Sequence, residues 1–447
     1  MWVEWFMPTS FRPYEPDQSY LFPPSPRDWL AEGHLAYFIS DTIDALDLRG
    51  FFARYSGDGR RNQPYHPAMM VKVLVYGYAT GVFSSRKLAK RVEEDVALRV
   101  LAGGNFPSHR TICDFRHDHL EEFGRLFVQV VELARESGMV KLGTVAVDGS
   151  KVKANASRHK AMSYGRMRQE EQRLRREIAG LLDQAAATDA EEDRLYGPDR
   201  RGDEVPAELQ RREDRLKTIQ EAKKRLEARQ AEADRKKGRR EGDGGQSPGG
   251  GRRCARDFGV PDDKAQDNFT DPESRIMKDS KGFEQCYNGQ IAVDADHQII
   301  VASDLSDNAA DVGTLKPMVR KIKEVTGQLP ERLLADAGYR SEKNLRRFEK
   351  LKIDAYVSLG REGKPNSSKT SKQPATDRMR QKLATEPGRR QYARRKTIPE
   401  PVFGWIKNVL GFRQFSLRGQ RKVAGEWTLV CLATNLWRMN HLTPAAG

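Results

Sequence analysis

Three acidic residues stand where a strand runs out or a helix begins, and all are of the type that holds a hard divalent cation. In residues 144–152, Val145 and Val147 alternate with smaller neighbours, the pattern of a half-buried strand, and Asp148 sits where that strand meets Gly149. A carboxylate held by a rigid sheet and open to solvent suits an ion that takes oxygen ligands. A second short apolar run, Arg332-Leu333-Leu334-Ala335, ends at Asp336, just before Ala337, Gly338 and Tyr339. Glu400 stands at the opening of a helix carrying Phe403, Ile406, Lys407 and Leu410. Two carboxylates at adjacent strand ends, with a third from a covering helix, can hold two divalent cations about 4 Å apart. One ion would generate an attacking hydroxide or polarise a 3′-hydroxyl; the other would stabilise the leaving oxygen of an in-line phosphoryl displacement. Mg²⁺ fits such ligands, with Mn²⁺ as a substitute, because it takes oxygen and keeps several waters.

Each acid also has a plainer reading. Asp148 beside Gly149 and Asp336 before Gly338 are ordinary turn residues. Glu400 fits a capping box with Thr397, with Pro399 and Pro401 in the first helical turn. Asp294 ends a strand as Asp336 does, and Glu426 rivals Glu400. Spacing alone leaves these alternatives open.

The 447 residues leave room for two or three domains, and a net charge of +15 favours a polyanionic partner, nucleic acid first. Cys113, Cys254, Cys286 and Cys431 have no paired spacing, which fits a reducing cytoplasm and argues against a zinc knuckle. The start, Met1-Trp2-Val3-Glu4-Trp5, lacks the basic and apolar regions of a secretory signal. The longest apolar-leaning segment, 69–83, contains Lys72 and is too short to span a bilayer. The expectation is a soluble, cytoplasmic protein with no membrane partner.

The elements that must position the acids follow in order. Residues 1–28, rich in proline and aromatics, predict an extended arm. Residues 29–140 are helical in pattern, with apolar positions at Leu35, Phe38, Ile39, Ile43 and Leu46, then Met69, Val73 and Tyr76. Ser84 opens a basic helix that breaks at Gly103-Gly104. Ser108 caps another, with Ile112, Phe115, Leu120, Phe123 and Val130 inward and Arg110, Arg116 and His117 outward. This resembles a helix-turn-helix, which makes Arg110 and Arg116 DNA-binding candidates; a helical bundle with solvated arginines fits equally well.

Residues 158–282 predict a charged helical-hairpin insertion. One thin stripe runs through Leu174, Ile178, Leu181 and Leu182, another through Leu209, Leu216, Ile219 and Leu226, and a glycine-rich stretch within 235–251 reads as disordered. Residues 141–157 and 283–440 hold the acids. Strands are expected at 285–294 and 298–303, a helix from 308, a strand at 332–335, a helix capped by Ser341 and a fifth strand at 355–359. A basic loop then runs over 361–395, before the Glu400 helix and a closing stretch, 427–439, of strand or helix. The fold class is α/β: a mixed five-stranded sheet with flanking helices, in which the first and fourth strands can be neighbours.

With these motifs the chain resembles a bacterial insertion-sequence transposase of the DDE type, with an RNase H-like catalytic core and a helical N-terminal domain. Val147-Asp148-Gly149-Ser150-Lys151 resembles the first catalytic block, and Leu334-Ala335-Asp336-Ala337-Gly338-Tyr339 the second. Residues 11–14 and 21–24 resemble the arm of these proteins, and 107–112 with Phe115 and Arg116 the end of the helical domain. Residues 271–278 are a further family-like run of no clear chemical role. Glu400 and Lys407 match the spacing of the family's tyrosine–basic–glutamate–lysine signature, on one helical face. Tyr392 stands one residue farther from Glu400 than the usual pattern, and both Arg395 and Lys396 fit the basic position. The resemblance implies that Asp148, Asp336 and Glu400 are the catalytic metal ligands. It implies that Lys407, with Arg395 or Lys396 and with Tyr392, contacts DNA at the transposon end. The implied activity is binding of terminal inverted repeats, cleavage at the ends and joining of the 3′-hydroxyl to target DNA, by a homodimer on DNA. A nuclease that never joins strands, and a non-catalytic DNA-binding protein derived from a transposase, are the alternatives.

Overall fold

The computed structural model describes residues 26–55, 64–196, 207–241, 256–279, 282–360 and 373–443. The arm expected at 1–28 therefore lies almost wholly outside the described residues, as does most of the glycine-rich stretch.

Ahead of the first strand, apolar residues at helical spacing form α1 (Leu35–Ala45), α2 (Arg49–Phe52), α3 (Pro67–Ala79), α4 (Ser85–Glu94), α5 (Val96–Leu101), α6 (His109–Asp118) and α7 (Leu120–Glu136). Ser108 caps α6 by accepting from the Thr111 amide at 3.2 Å, as expected. Gly103 and Gly104 follow α5 with φ of +55° and +74°, the left-handed conformation that ends a helix. Arg110 and His117 are exposed.

Arg116 corrects the sequence reading. It is 3% exposed, and its guanidinium donates to the Tyr78 hydroxyl and to the Phe83 carbonyl, each at 2.9 Å. The Tyr78 hydroxyl in turn donates to Glu426. Buried acceptors on α3, just after it and, through Tyr78, on the C-terminal helix draw the side chain inward, away from solvent.

Next come β1 (Thr144–Lys153), β2 (Ala161–Ser163), α8 (Tyr164–Tyr196), α9 (Ala207–Lys236) and β3 (Gln266–Asn268). α8 and α9 pack as a hairpin over a small core of their own, built from Tyr164, Met167, Leu174, Ile219, Ala222 and Leu226. At its base β2 and β3 pair antiparallel, and the buried Asp267 of β3 takes Arg225 and Arg229 of α9. Leu182, expected on the apolar stripe, is half exposed.

The remaining strands are β4 (Arg275–Asp279), β5 (Gly282–Asp294), β6 (Ile300–Ser306), β7 (Arg332–Ala335) and β8 (Asp354–Val357). They join β1 in a six-stranded mixed sheet, ordered β4-β5-β1-β7-β8, with β6 also pairing β5. β5 runs antiparallel to β1, β4 and β6, whereas β7 is parallel to both β1 and β8. The extra strand, β4, comes from the run 271–278 that carried no evident role. α10 (Leu315–Thr326) lies between β6 and β7, and α11 (Glu342–Lys350), capped by Ser341, between β7 and β8.

Residues 373–395 are not the loop expected from their charge; they form α12 (Pro374–Ala384) and α13 (Glu386–Ala393). Glu342 of α11 accepts from the Ala375 and Thr376 amides at 3.1 and 3.0 Å, which satisfies the open N-terminus of α12. That stabilisation comes from a partner more than thirty residues away, which local pattern does not display.

α14 (Pro399–Gly404) continues into a π-helical turn, Trp405–Val409. α15 (Gln420–Leu442) resolves the ambiguous closing stretch as helix; it packs on α7 and α3 and on β6, where the Asn435 amide brackets Ile300. Because α15 touches both, the N-terminal helices and the sheet share one continuous apolar core. Among the described residues no helix is long and apolar enough to cross a membrane.

Candidate active site

Register decides where the first two acids meet. β1 and β7 are parallel, and Val147 pairs with Ala335. The next residue along each is an acid: Asp148 lies within β1, which runs on to Lys153 beside β5 instead of ending at Gly149 as expected, and Asp336 follows the end of β7, so the two carboxylates lie side by side where the parallel pairing stops. The turn readings hold as well: Asp148 Oδ1 accepts from the Gly149 amide and Asp336 Oδ1 from the Gly338 amide, each at 2.8 Å. These bonds fix one oxygen of each carboxylate. Burial raises the Asp148 carboxyl from 3.8 to about 6; the charges of Asp336 and Asp311 push the same way, against the Gly149 N–H and Arg395. Asp336 is raised too, by burial first and then by Asp311.

Asp311 was read from sequence only as part of a helix start, yet it faces this pair. It opens a short 3-10 turn, Asp311–Gly313, between β6 and α10. Its Oδ1 accepts from Asn288 Nδ2 at 2.6 Å and Gln290 Nε2 at 2.8 Å, and Lys151 Nζ lies 3.6 Å away. Gln290 is itself held, accepting from Thr314 Oγ1 at 3.1 Å and from the Tyr339 hydroxyl. The available signal was an acid a few residues after a strand end, shared by many turn residues.

Gly149 leaves room for this network. A Cβ there would stand 2.0 Å from Gln290 Nε2 and 2.9 Å from both Asn288 Oδ1 and Asp311 Oδ1. Gly149→Ala is expected to displace Gln290 and cost about 1–3 kcal/mol. A melting curve checks the stability.

Glu400 lies in the first turn of α14, with its side chain 51% exposed. Thr397 does not cap that helix; its hydroxyl donates to the Arg394 carbonyl instead. Arg395 links Glu400 to the strand-end pair, with guanidinium nitrogens 3.4 Å from Glu400 Oε1 and 3.6 Å from Asp148 Oδ2. Of the two basic candidates, Arg395 is buried among the acids and Lys396 is exposed. Burial acts to lower the Arg395 guanidinium, but Tyr392, Asp148 and Asp336 outweigh it and hold it above its usual range. Lys407, in the π-helical turn, donates to the Lys151 carbonyl of β1 at 2.7 Å.

The rival acids are committed elsewhere. Asp294 pairs with Val145, toward the opposite end of β1, and accepts from the Leu142 and Asp296 amides at 2.9 and 3.0 Å. Glu426 is fully buried and accepts from Tyr78 and from the Ser416 and Leu417 amides.

Among the described residues no three His, Cys, Asp or Glu side chains stand together closely enough to hold an ion as they are placed. Between Asp148 and Glu400 the cation present is the Arg395 guanidinium. The donor chemistry nevertheless fits a hard divalent cation: carboxylate oxygens converge from β1, β7 and the 3-10 turn, and their mutual repulsion is what such a charge relieves.

Fold and site thus define an α/β protein with paired acids where the parallel pairing of two central strands ends. Residues 255–436 match the family described as transposase DDE domain, and residues 24–118 match the transposase domain (DUF772). Both matched stretches are transposase domains and together support an insertion-sequence DDE transposase, a DNA transposase of a family that generally uses divalent metal ions. The first match includes Asp311, Asp336 and Glu400; Asp148 falls between the two matched stretches. No curated protein and no solved structure matches the chain.

Proposed function

We propose that this protein binds the terminal inverted repeats of its element, cleaves at the ends and joins the 3′-hydroxyl to target DNA, with Asp148, Asp336 and Glu400 as ligands of Mg²⁺ ions. The observation that carries this reading is the parallel pairing of Val147 with Ala335, which sets the two aspartates side by side. The strand order β6-β5-β1-β7-β8, antiparallel on one side of β1 and parallel on the other, supports an RNase H-like core. Ions bound there would activate the attacking oxygen and stabilise the leaving oxygen of an in-line displacement at phosphorus.

The chain's own residues prepare the site. Gly149 and Gly338 amides orient the two aspartates, and Asp148 must give up its proton before it can bind a cation. Arg395 neutralises Asp148 and Glu400 in the metal-free protein, and its guanidinium fork also suits a DNA phosphate. Lys407, Lys396 and Tyr392 extend a basic, hydrogen-bonding surface around it. Arg110, exposed on α6, is the phosphate contact expected of the helical region; Arg110→Ala should weaken DNA binding and lower the salt-dependence slope by about one, measured by titrations at several salt concentrations. In this reading residues 29–140 are a helical DNA-binding region, 141–157 and 283–440 the catalytic core, and 158–282 the hairpin insertion. Two ends require two active sites, so the working form is a homodimer on DNA.

The test is incubation of purified protein with a labelled element end in Mg²⁺, Mn²⁺ or chelator. Metal-dependent cleavage and a joined product are expected. Cleavage without joining identifies a nuclease, and end binding without cleavage in any divalent metal identifies a non-catalytic DNA-binding protein.

A further inference from the structure

We infer that Asp311 is a fourth carboxylate of the ion site, directed at the same divalent cation as Asp336; the inference rests on the metal-site reading above. The two oxygens of Asp311 have different surroundings. Oδ1 is anchored by Asn288, Gln290 and Lys151. Oδ2 instead faces Asp336 across Gly338: the position a Cβ would take at Gly338 is 3.0 Å from Asp311 Oδ2 and 3.0 Å from Asp336 Oδ1. The two oxygens are therefore no more than twice that distance apart, a gap that small rotamer changes close around one ion.

A second observation points to a ligand at the same place. Asn288 is fully buried, and its Oδ1 has no hydrogen-bond partner while its Nδ2 is engaged with Asp311 and the Asn308 carbonyl. That orphaned oxygen lies 2.9 Å from the Gly149 Cβ position, as does Asp311 Oδ1, so it is aimed into the carboxylate cluster. An unpaired buried acceptor is costly, and a hydrated cation brings the donors that satisfy it. Four carboxylates, Asp148, Asp311, Asp336 and Glu400, gather here, with Lys151 beside Asp311 and Arg395 between Asp148 and Glu400. The amides on Asp311 Oδ1 orient a carboxylate without neutralising it, as a ligand requires.

The test uses the full-length chain without DNA and Mn²⁺ as the probe, titrated by electron paramagnetic resonance. Asp311→Asn retains an acceptor for Asn288 and Gln290, so a purely structural role leaves Mn²⁺ binding unchanged. A ligand role predicts Mn²⁺ affinity at least about tenfold weaker, an altered bound-Mn²⁺ spectrum and no loss of thermal stability without metal. Asp311→Glu should recover part of the affinity. Wild-type binding in Asp311→Asn, with binding lost in Asp148→Asn, overturns the role of Asp311 alone. Absence of bound Mn²⁺ in the wild type, or unchanged binding in Asp148→Asn, overturns the metal-site reading and this inference with it.

Discussion

Asp148→Asn is expected to remove metal-dependent DNA cleavage, by at least about 10³-fold, while making the metal-free protein more stable at pH 8. The two effects share one cause. Asparagine keeps an oxygen to accept from the Gly149 amide but carries no charge, so it cannot replace a carboxylate ligand. It also ends the repulsion that burial, Asp336 and Asp311 impose on the wild-type group. The folded carboxyl titrates near 6 against 3.8 when unfolded, so the folded state binds the proton more tightly. Below pH 3.8 both states are protonated and the neutral acid resembles asparagine. As the pH rises through 6 the wild type loses stability that the variant keeps, a difference of about 3 kcal/mol over the full titration and roughly half of that between pH 5 and pH 8. Urea unfolding with chelator at pH 5 and pH 8 measures it; a variant no more stable at pH 8 would show that Asp148 is not held in a crowded acidic cluster. In limiting Mg²⁺, wild-type cleavage should increase from pH 5 to pH 7 as the proton stops competing with the ion.

Glu426→Ala should be the most damaging single change outside the site, costing about 3–5 kcal/mol. Glu426 is fully buried and accepts from the Tyr78 hydroxyl at 3.2 Å and the Ser416 and Leu417 amides at 3.0 Å. Removing it leaves those donors unpaired and the buried Arg116 charge, one hydrogen bond away through Tyr78, without its counter-ion. The network ties α6 and α3 to α15, so its loss loosens the helical region from the sheet. Arg116→Ala should fail in the same way, through stability, whereas the folded fraction keeps its DNA affinity. Denaturation midpoints and DNA titrations on the same samples separate the two. A large loss of DNA affinity in stably folded Arg116→Ala would restore Arg116 to the DNA surface.

The contrast between Arg116 and Asp148 shows what local pattern carries. Alternation marks the first half of β1 and a short apolar run marks β7, each followed by its acid, but nothing local shows that β1 continues past Asp148 to Lys153 along β5. Ser108 and Ser341 were legible as caps because a cap acts on an amide three residues away. Arg116 looked solvated because its neighbours in sequence say nothing of Tyr78 or Glu426. Residues 373–395 looked like loop because the carboxylate that starts α12 belongs to α11. Arg395 and Lys396 were equivalent on paper and differ only in which one the fold buries.

Composition and short-range periodicity by themselves determined that this is a basic α/β chain with acids following two apolar strand runs and at a helix start, since those features depend on residues within a turn or a strand length. Tertiary structure alone decided that Val147 lies beside Ala335, that Asp311 joins the acids, and that Arg395 stands between Asp148 and Glu400. Each of those outcomes is a contact between segments distant in the chain or a choice between near-equivalent side chains, and its energy exists only once the sheet register and helix packing have formed.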